Sequence, residues 1–167
     1  MPARLPMTWT RRSEHPATAP ALLYAKALEL LARREHSRLE LRQKLLQRGF
    51  VAADIDPVLN RLVAEGSLDE GRYAELYACT RADKGYGPLR IAQDLRARGV
   101  PDEHVTAALA ALEADWPAKL RALHRKRFQS RIPADVAGRL QQTRFLRQQG
   151  FSLEQIKALF EHSHCDS

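Results

Sequence analysis

Apolar residues recur along this chain at three- and four-residue spacing, in stretches about one helix long, and three of the stretches end alike. They read Leu45-x3-Gly49-Phe50, Leu95-x3-Gly99-Val100 and Leu146-x3-Gly150-Phe151. After each glycine the stripe resumes in step, at Ile55 and Leu59, Val105 and Leu109, Ile156 and Phe160. The glycines lie 50 and 51 residues apart, the mark of one supersecondary unit repeated in tandem. Glycine just past the last periodic residue closes a helix in the left-handed conformation, and the apolar residue behind it covers the last turn. Gly49, Gly99 and Gly150 are therefore read as structural caps.

Each repeat reads as three helices. In the first, over 21–66, Leu23, Ala27, Leu30 and Leu31 give one face of a helix running toward Arg34. Ser37 is an N-cap candidate with Glu40 three residues on; Leu41, Leu45 and Leu46 face inward; Ile55, Val58, Leu59 and Leu62 form the third stripe. The second unit, 67–114, starts with Tyr73, Leu76, Tyr77 and Thr80 as its stripe and breaks at Lys84-Gly85-Tyr86-Gly87-Pro88. Pro88 and Pro101 suit first helical positions, ahead of Ile91, Ala92 and Leu95 and of Val105, Ala108, Leu109 and Leu112. The third unit, 115–162, runs from Asp115-Trp116-Pro117 to Phe128, then through Leu140 and Leu146, and ends in a helix opened by a Ser152–Gln155 capping box. No segment alternates as a strand would. The expectation is an all-α, elongated and curved array of three tandem three-helix repeats, with burial spread over several small cores and a monomeric chain. A flexible, basic, Pro-rich arm (1–20) precedes it and a short tail (163–167) follows.

Charge changes this picture at one place. Of the net +7, residues 119–147 hold nine Lys and Arg, among them Arg125, Lys126 and Arg127, against Asp135 alone, and the rest is close to neutral. Such a run suits a polyanion, nucleic acid or a nucleoprotein assembly; a solvated helical face is the plainer alternative. No apolar run is long enough for a bilayer, and Cys79 with Cys165 makes no disulfide framework, which fits a reducing cytoplasm. The arm's Arg4, Arg11 and Arg12 among prolines do not read as a signal peptide.

Catalytic motifs are absent: no Walker-type loop, dinucleotide fingerprint, His–Glu helix motif or nucleophile elbow. We therefore assign no catalytic residue, no cofactor and no metal. His162, His164 and Cys165 cluster in a terminal tail, which rarely supplies the fixed geometry that a metal needs. In the Lys84–Arg90 loop two cations bracket a helix start whose free N–H groups favour an anion. Equally, its Gly and Pro punctuate two helices and the cations are solvated.

The run Leu68-Asp69-Glu70-Gly71-Arg72-Tyr73-Ala74-Glu75, with Arg81, Lys84-Gly85-Tyr86-Gly87-Pro88, Arg90-Ile91 and Leu95-x3-Gly99, closely resembles the signature of the RecX family of bacterial regulatory proteins. Leu30-Leu31-Ala32-Arg33-Arg34-Glu35-His36-Ser37, Glu40-Leu41, Asp115-Trp116 and Phe145-Leu146-x3-Gly150-Phe151-Ser152 support it. The likeness covers residues from about 22 to 160 and leaves out the basic arm and the His/Cys tail. It implies a non-enzymatic, cytoplasmic modulator that binds in the groove of the RecA–DNA filament and suppresses ATP hydrolysis, strand exchange and co-protease activity, in control of recombination and the SOS response. Some members of the family also bind DNA, so single- and double-stranded DNA are further partners. Joined with the charge pattern, the resemblance marks Arg72, Arg81, Lys84, Tyr86, Arg90, Arg125, Lys126 and Arg127 as partner-binding candidates. A stand-alone DNA-binding helical-repeat protein is the rival reading, and its affinity would follow phosphate charge with no need of RecA.

Overall fold

The computed structural model describes residues 19–162. Residues 1–18 of the arm, and the tail with His164 and Cys165, lie outside the described residues. Among the described residues the chain forms nine α-helices and no strand. The first group is α1 (Ala19–Arg33), α2 (Arg38–Gln47) and α3 (Ala52–Ala64); the second is α4 (Glu70–Asp83), α5 (Pro88–Ala97) and α6 (Asp102–Ala110). A 3₁₀ turn, Glu113–Asp115, leads into α7 (Trp116–Phe128), α8 (Val136–Gln148) and α9 (Leu153–His162). α1 takes in Ala19 and Pro20, two residues expected in the arm, because proline is costless in a first turn.

Local chemistry explains the ends. Gly49, Gly99 and Gly150 sit at φ 87°, 75° and 100°. Each gives its N–H to the carbonyl three residues back, and the next residue's N–H reaches Leu45, Leu95 or Leu146, the paired bonds of a Schellman closure. Ser152 and Gln155 exchange both bonds of a capping box, at 2.9 and 3.2 Å. Ser37 caps α2 through Glu40 N, 3.1 Å away, but the Glu40 carboxylate turns instead to Arg34. Pro101 is the extended residue before α6, one position earlier than expected.

Burial departs from the expectation of several small cores. One core belongs to the first unit and includes Leu23, Leu41, Leu45, Ile55 and Leu59, joined by Leu68 from the start of the second. The other runs unbroken from Tyr73 and Ala74 through Leu95, Val105 and Trp116 to Leu146, Phe151 and Ile156. Units two and three thus share a core, bridged by Trp116 edge-on to Phe151 with centroids 6.5 Å apart. The buried stripe of α4 also differs. Tyr73, Ala74, Ala78 and Ala82 face inward, while Leu76 is 55% exposed. Alanines win that face because α4 packs against α6, the most extensively packed helix pair of the fold, and small side chains permit close approach. Leu46 and Leu140, expected inside, lie on exposed faces.

The units stack by one rule used twice. The C-cap carbonyl of a unit's second helix meets the N-terminus of the preceding unit's second helix. Arg98 O accepts from Ser37 Oγ (2.8 Å) at the first seam, and Gln149 O accepts from Gly87 N (2.7 Å) at the second. Partial negative charge at one helix end meets partial positive charge at another. The cap glycines sit at these seams: a Cβ on Gly99 would press on Leu39, and one on Gly150 would lie 2.4 Å from Arg90 Cβ. Gly49 has no preceding unit and open space around it.

Candidate functional site

The chemistry-bearing surface of the second unit is a stack of guanidinium groups and rings. Tyr77 and Arg81, four residues apart on α4, share a face, and the Gly85 turn brings Tyr86 alongside them. Arg81 lies over both Tyr77 and Tyr86, 5.1 and 5.2 Å from their centroids. Arg90 covers Tyr86 at 4.4 Å and Arg98 covers Tyr77 at 4.9 Å. The Tyr77 hydroxyl accepts from Arg81 Nε (3.0 Å) and donates to Asp94 (3.2 Å). Buried Tyr73, whose phenol pKa burial pushes up, accepts from Arg98 at 3.4 Å. Among the described residues no carboxylate pairs with Arg81, Arg90 or Arg98. Stacking on a ring orders a cation without neutralising it.

The α5 start does not form the anion seat that Lys84 and Arg90 suggested. Its N–H groups are taken: Gly87 N donates to Gln149 O (2.7 Å) and Leu89 N to Gly150 O (3.0 Å), and Gly150 lies against Arg90 N. Arg90 itself donates to Gln148 O at 3.3 Å. The docked end of α8 occupies the place of an anion, since its carbonyls already complement the α5 dipole. Lys84 diverges from Arg90 and lines a cleft between α4 and α7 instead, floored by Gly85, Leu123 and Phe145.

The basic run of α7 divides in two. Lys126 and Arg127 face the Lys84 cleft, while Arg125 lines a separate cleft with Arg121 and His124. Successive helical residues are turned by about 100°, so three adjacent cations cannot share a surface. Arg127 rests 5.6 Å from the ring centroids of both Phe128 and Phe145. Lys119 is held by Asp83 at 2.7 Å, which keeps its ammonium pKa above the ordinary value. Arg72 is engaged within the fold: it binds Glu35 of the first unit and lies 3.7 Å from Asp69. It fastens the first seam.

The structure adds residues that the sequence had not marked for partner binding. Arg98 and Tyr77 complete the stack, and Arg144 and Arg147 of α8 line clefts beside Arg127 and Arg90. The Tyr73–Tyr77–Arg81 spacing on one helix was the available signal for the stack. Two buried histidines serve the scaffold. His36 Nδ1 donates to Arg34 O and its Nε2 accepts from Lys44, both at 2.9 Å. His124 Nε2 donates to Gln142 at 2.9 Å. Among the described residues no cluster of His, Cys, Asp and Glu is placed to hold a metal, and no helix is long and apolar enough to cross a membrane.

Comparison with known proteins gives the chain's relatives. Residues 24–62 match the family model described as RecX, first three-helix domain, and 69–109 match RecX, second three-helix domain. A protein of Halorhodospira halophila, Regulatory protein RecX, is 48% identical over 132 residues, covering 79% of this chain and 82% of its own. The Regulatory protein RecX of Pseudomonas entomophila is 44% identical over 140 residues, covering 84% and 90%. In fold, the chain is similar to the crystal structure of RecX from Lactobacillus salivarius, with TM-score 0.73 and 20% identity over 87% of this chain and 97% of that one.

Proposed function

The chain belongs to the RecX family of regulatory proteins, and from that premise we propose that it binds the RecA–DNA filament and lowers RecA's ATP hydrolysis, strand exchange and co-protease activity. It does so as a cytoplasmic monomer with no chemistry of its own. The observation that carries the reading is the second-unit stack, where Arg81, Arg90 and Arg98 are ordered on tyrosine rings without a carboxylate partner. Ordered, unneutralised guanidinium groups lose little side-chain entropy on binding and present edges suited to carboxylate and phosphate oxygens. A helical array that lodges such a surface in the filament groove restrains the subunit motions that ATP turnover requires. Inhibition follows from occupancy and needs no active site.

The test is RecA's single-stranded-DNA-dependent ATPase titrated with this protein. Sub-stoichiometric to near-stoichiometric amounts should lower turnover and strand exchange in parallel, with no nucleotide or DNA hydrolysis by the protein alone. Unchanged RecA kinetics together with strong binding to naked DNA would instead identify a stand-alone DNA-binding protein.

A further inference from the structure

Three clefts along α8 adjoin one another. The Lys84 cleft shares Arg127 and Phe145 with a second cleft, which is lined by Phe128, Gln141, Arg144 and Gln148. The second shares Gln148 with a third, which continues past Arg147 to Arg90 and Gln93 of α5. The result is a trough along the seam between the second and third units. Lys84, Lys126, Arg144 and Arg147 along it are exposed, and among the described residues none has a side-chain hydrogen bond or ion pair. Elsewhere Arg33, Arg34, Arg42, Arg61, Arg72 and Arg96 all hold carboxylates, while Arg121, Arg125 and Arg131 are exposed like the trough cations and, among the described residues, likewise without a side-chain bond, but lie outside the three clefts.

We infer that this trough is a strand-binding site, taking the phosphodiester backbone of a single-stranded nucleic acid across the seam. Its cations are separated by amide side chains and by two half-buried rings under Arg127, the mixture of charge and stacking surface that single strands use, and its two carboxylates, Asp83 and Asp94, are already bonded by Lys119 and by the Tyr77 hydroxyl. An acidic protein partner is the competing occupant, but a protein interface wants a continuous apolar centre, and the trough's apolar lining, Leu123 and Phe145 at one end, Phe128 in the middle and Leu89 at the other, is broken along its length by cations. The α7 and α8 walls lie outside residues 24–62 and 69–109, and the trough meets the second-unit stack only at its α5 end, where Arg90 and Asp94 belong to both. The inference deepens the filament reading: the trough contacts the strand and the stack faces the protein.

The experiment compares two triple variants for binding to a fluorescent oligothymidylate without RecA. One, Lys126→Glu with Arg144→Glu and Arg147→Glu, reverses the trough. The other, Arg121→Glu with Arg125→Glu and Arg131→Glu, makes the same charge change on exposed residues away from it. The trough triple should bind about tenfold or more weakly, with the log–log salt slope shallower by about two, since each lost phosphate contact removes about 0.7 on a single strand. The control triple should stay within about threefold. A trough triple with Gln in place of Glu should show a smaller loss of the same kind, and circular dichroism confirms that all variants fold. Equal loss in both Glu triples, no loss in the trough triple, or displacement by polyglutamate as readily as by oligothymidylate would each overturn the assignment. RecA ATPase is read in parallel. A wild-type protein that binds the strand through the trough and leaves RecA unaffected refutes the filament reading alone. A wild-type protein that inhibits RecA, beside a trough triple with unchanged strand affinity, refutes the trough alone.

Discussion

At the residue scale, the three cap glycines look equivalent in sequence and are not equivalent in energy. Gly49→Ala meets open space and should cost about 1 kcal/mol, the price of a positive φ. Gly150→Ala adds a collision, with Cβ 2.4 Å from Arg90 Cβ and 2.6 Å from its backbone N, so docked backbone must move. Urea denaturation should rank Gly150→Ala as clearly the more damaging; equal costs would show that the second seam yields freely. His36 gives a second prediction. Burial is the main cause holding its pKa below the ordinary 6.5, and the charges of Arg34 and Lys44 add to it against the hydrogen bond to the Arg34 carbonyl and the nearby Glu40. The unfolded chain therefore takes up a proton before the folded one, so stability is flat above about pH 6.5 and falls as pH drops below it. For Glu40 burial is the largest single cause and raises the pKa, but the hydrogen bond and charge of Arg34 with the charges of His36 and Lys44 together lower it, and its own loss comes in a separate window, below the usual carboxylate range near 4.5. Thermal melts across this range should show the upper window, and His36→Gln should remove it.

Helices make the corresponding point one level up. On α4, Leu76 is the more hydrophobic residue and Ala78 the more important one, since Ala78 is fully buried in the helix that packs most extensively on α6. Ala78→Leu must force those helices apart and should cost about 1–3 kcal/mol, whereas Leu76→Ala should change stability by less than about 0.5 kcal/mol. Denaturant midpoints of the two variants decide it, and a tolerated Ala78→Leu would mean that α4 and α6 are loosely packed. On α7, the 100° step between residues explains why a basic run that reads as one patch becomes two surfaces.

For the whole molecule, the division into cores sets the cooperativity. Units two and three share a core and a backbone-to-backbone seam, while the first unit joins them through polar contacts: Ser37 to Arg98 O, Arg38 N to Glu70, and Arg72 to Glu35. Native-state hydrogen exchange should therefore show two cooperative sets of amides, α1–α3 in one and α4–α9 in the other. Ser37→Ala should loosen the first set preferentially, by about 1 kcal/mol. Three sets of equal stability would mean that Trp116 and Phe151 do not weld the second seam.

What the sequence determined by itself is local: nine helical stripes, a period near 50 residues, and the serine caps at 37 and 152. These are written in spacings of three or four residues and in side chains that bond a backbone group within one turn. Half of the candidate surface was legible on the same terms, with Arg81, Tyr86 and Arg90 around a punctuated loop and Lys126 and Arg127 in a basic run. Tertiary structure decided the rest. It chose the alanine face of α4, closed the α5 start with the end of α8, tied Arg72 to Glu35, and set Arg144 and Arg147 beside residues far away in the chain. Each of those outcomes depends on which helices meet, within a unit for the α4 face and Arg144 and across a seam for the rest, and a local pattern of apolar and charged positions carries no information about a partner on another helix.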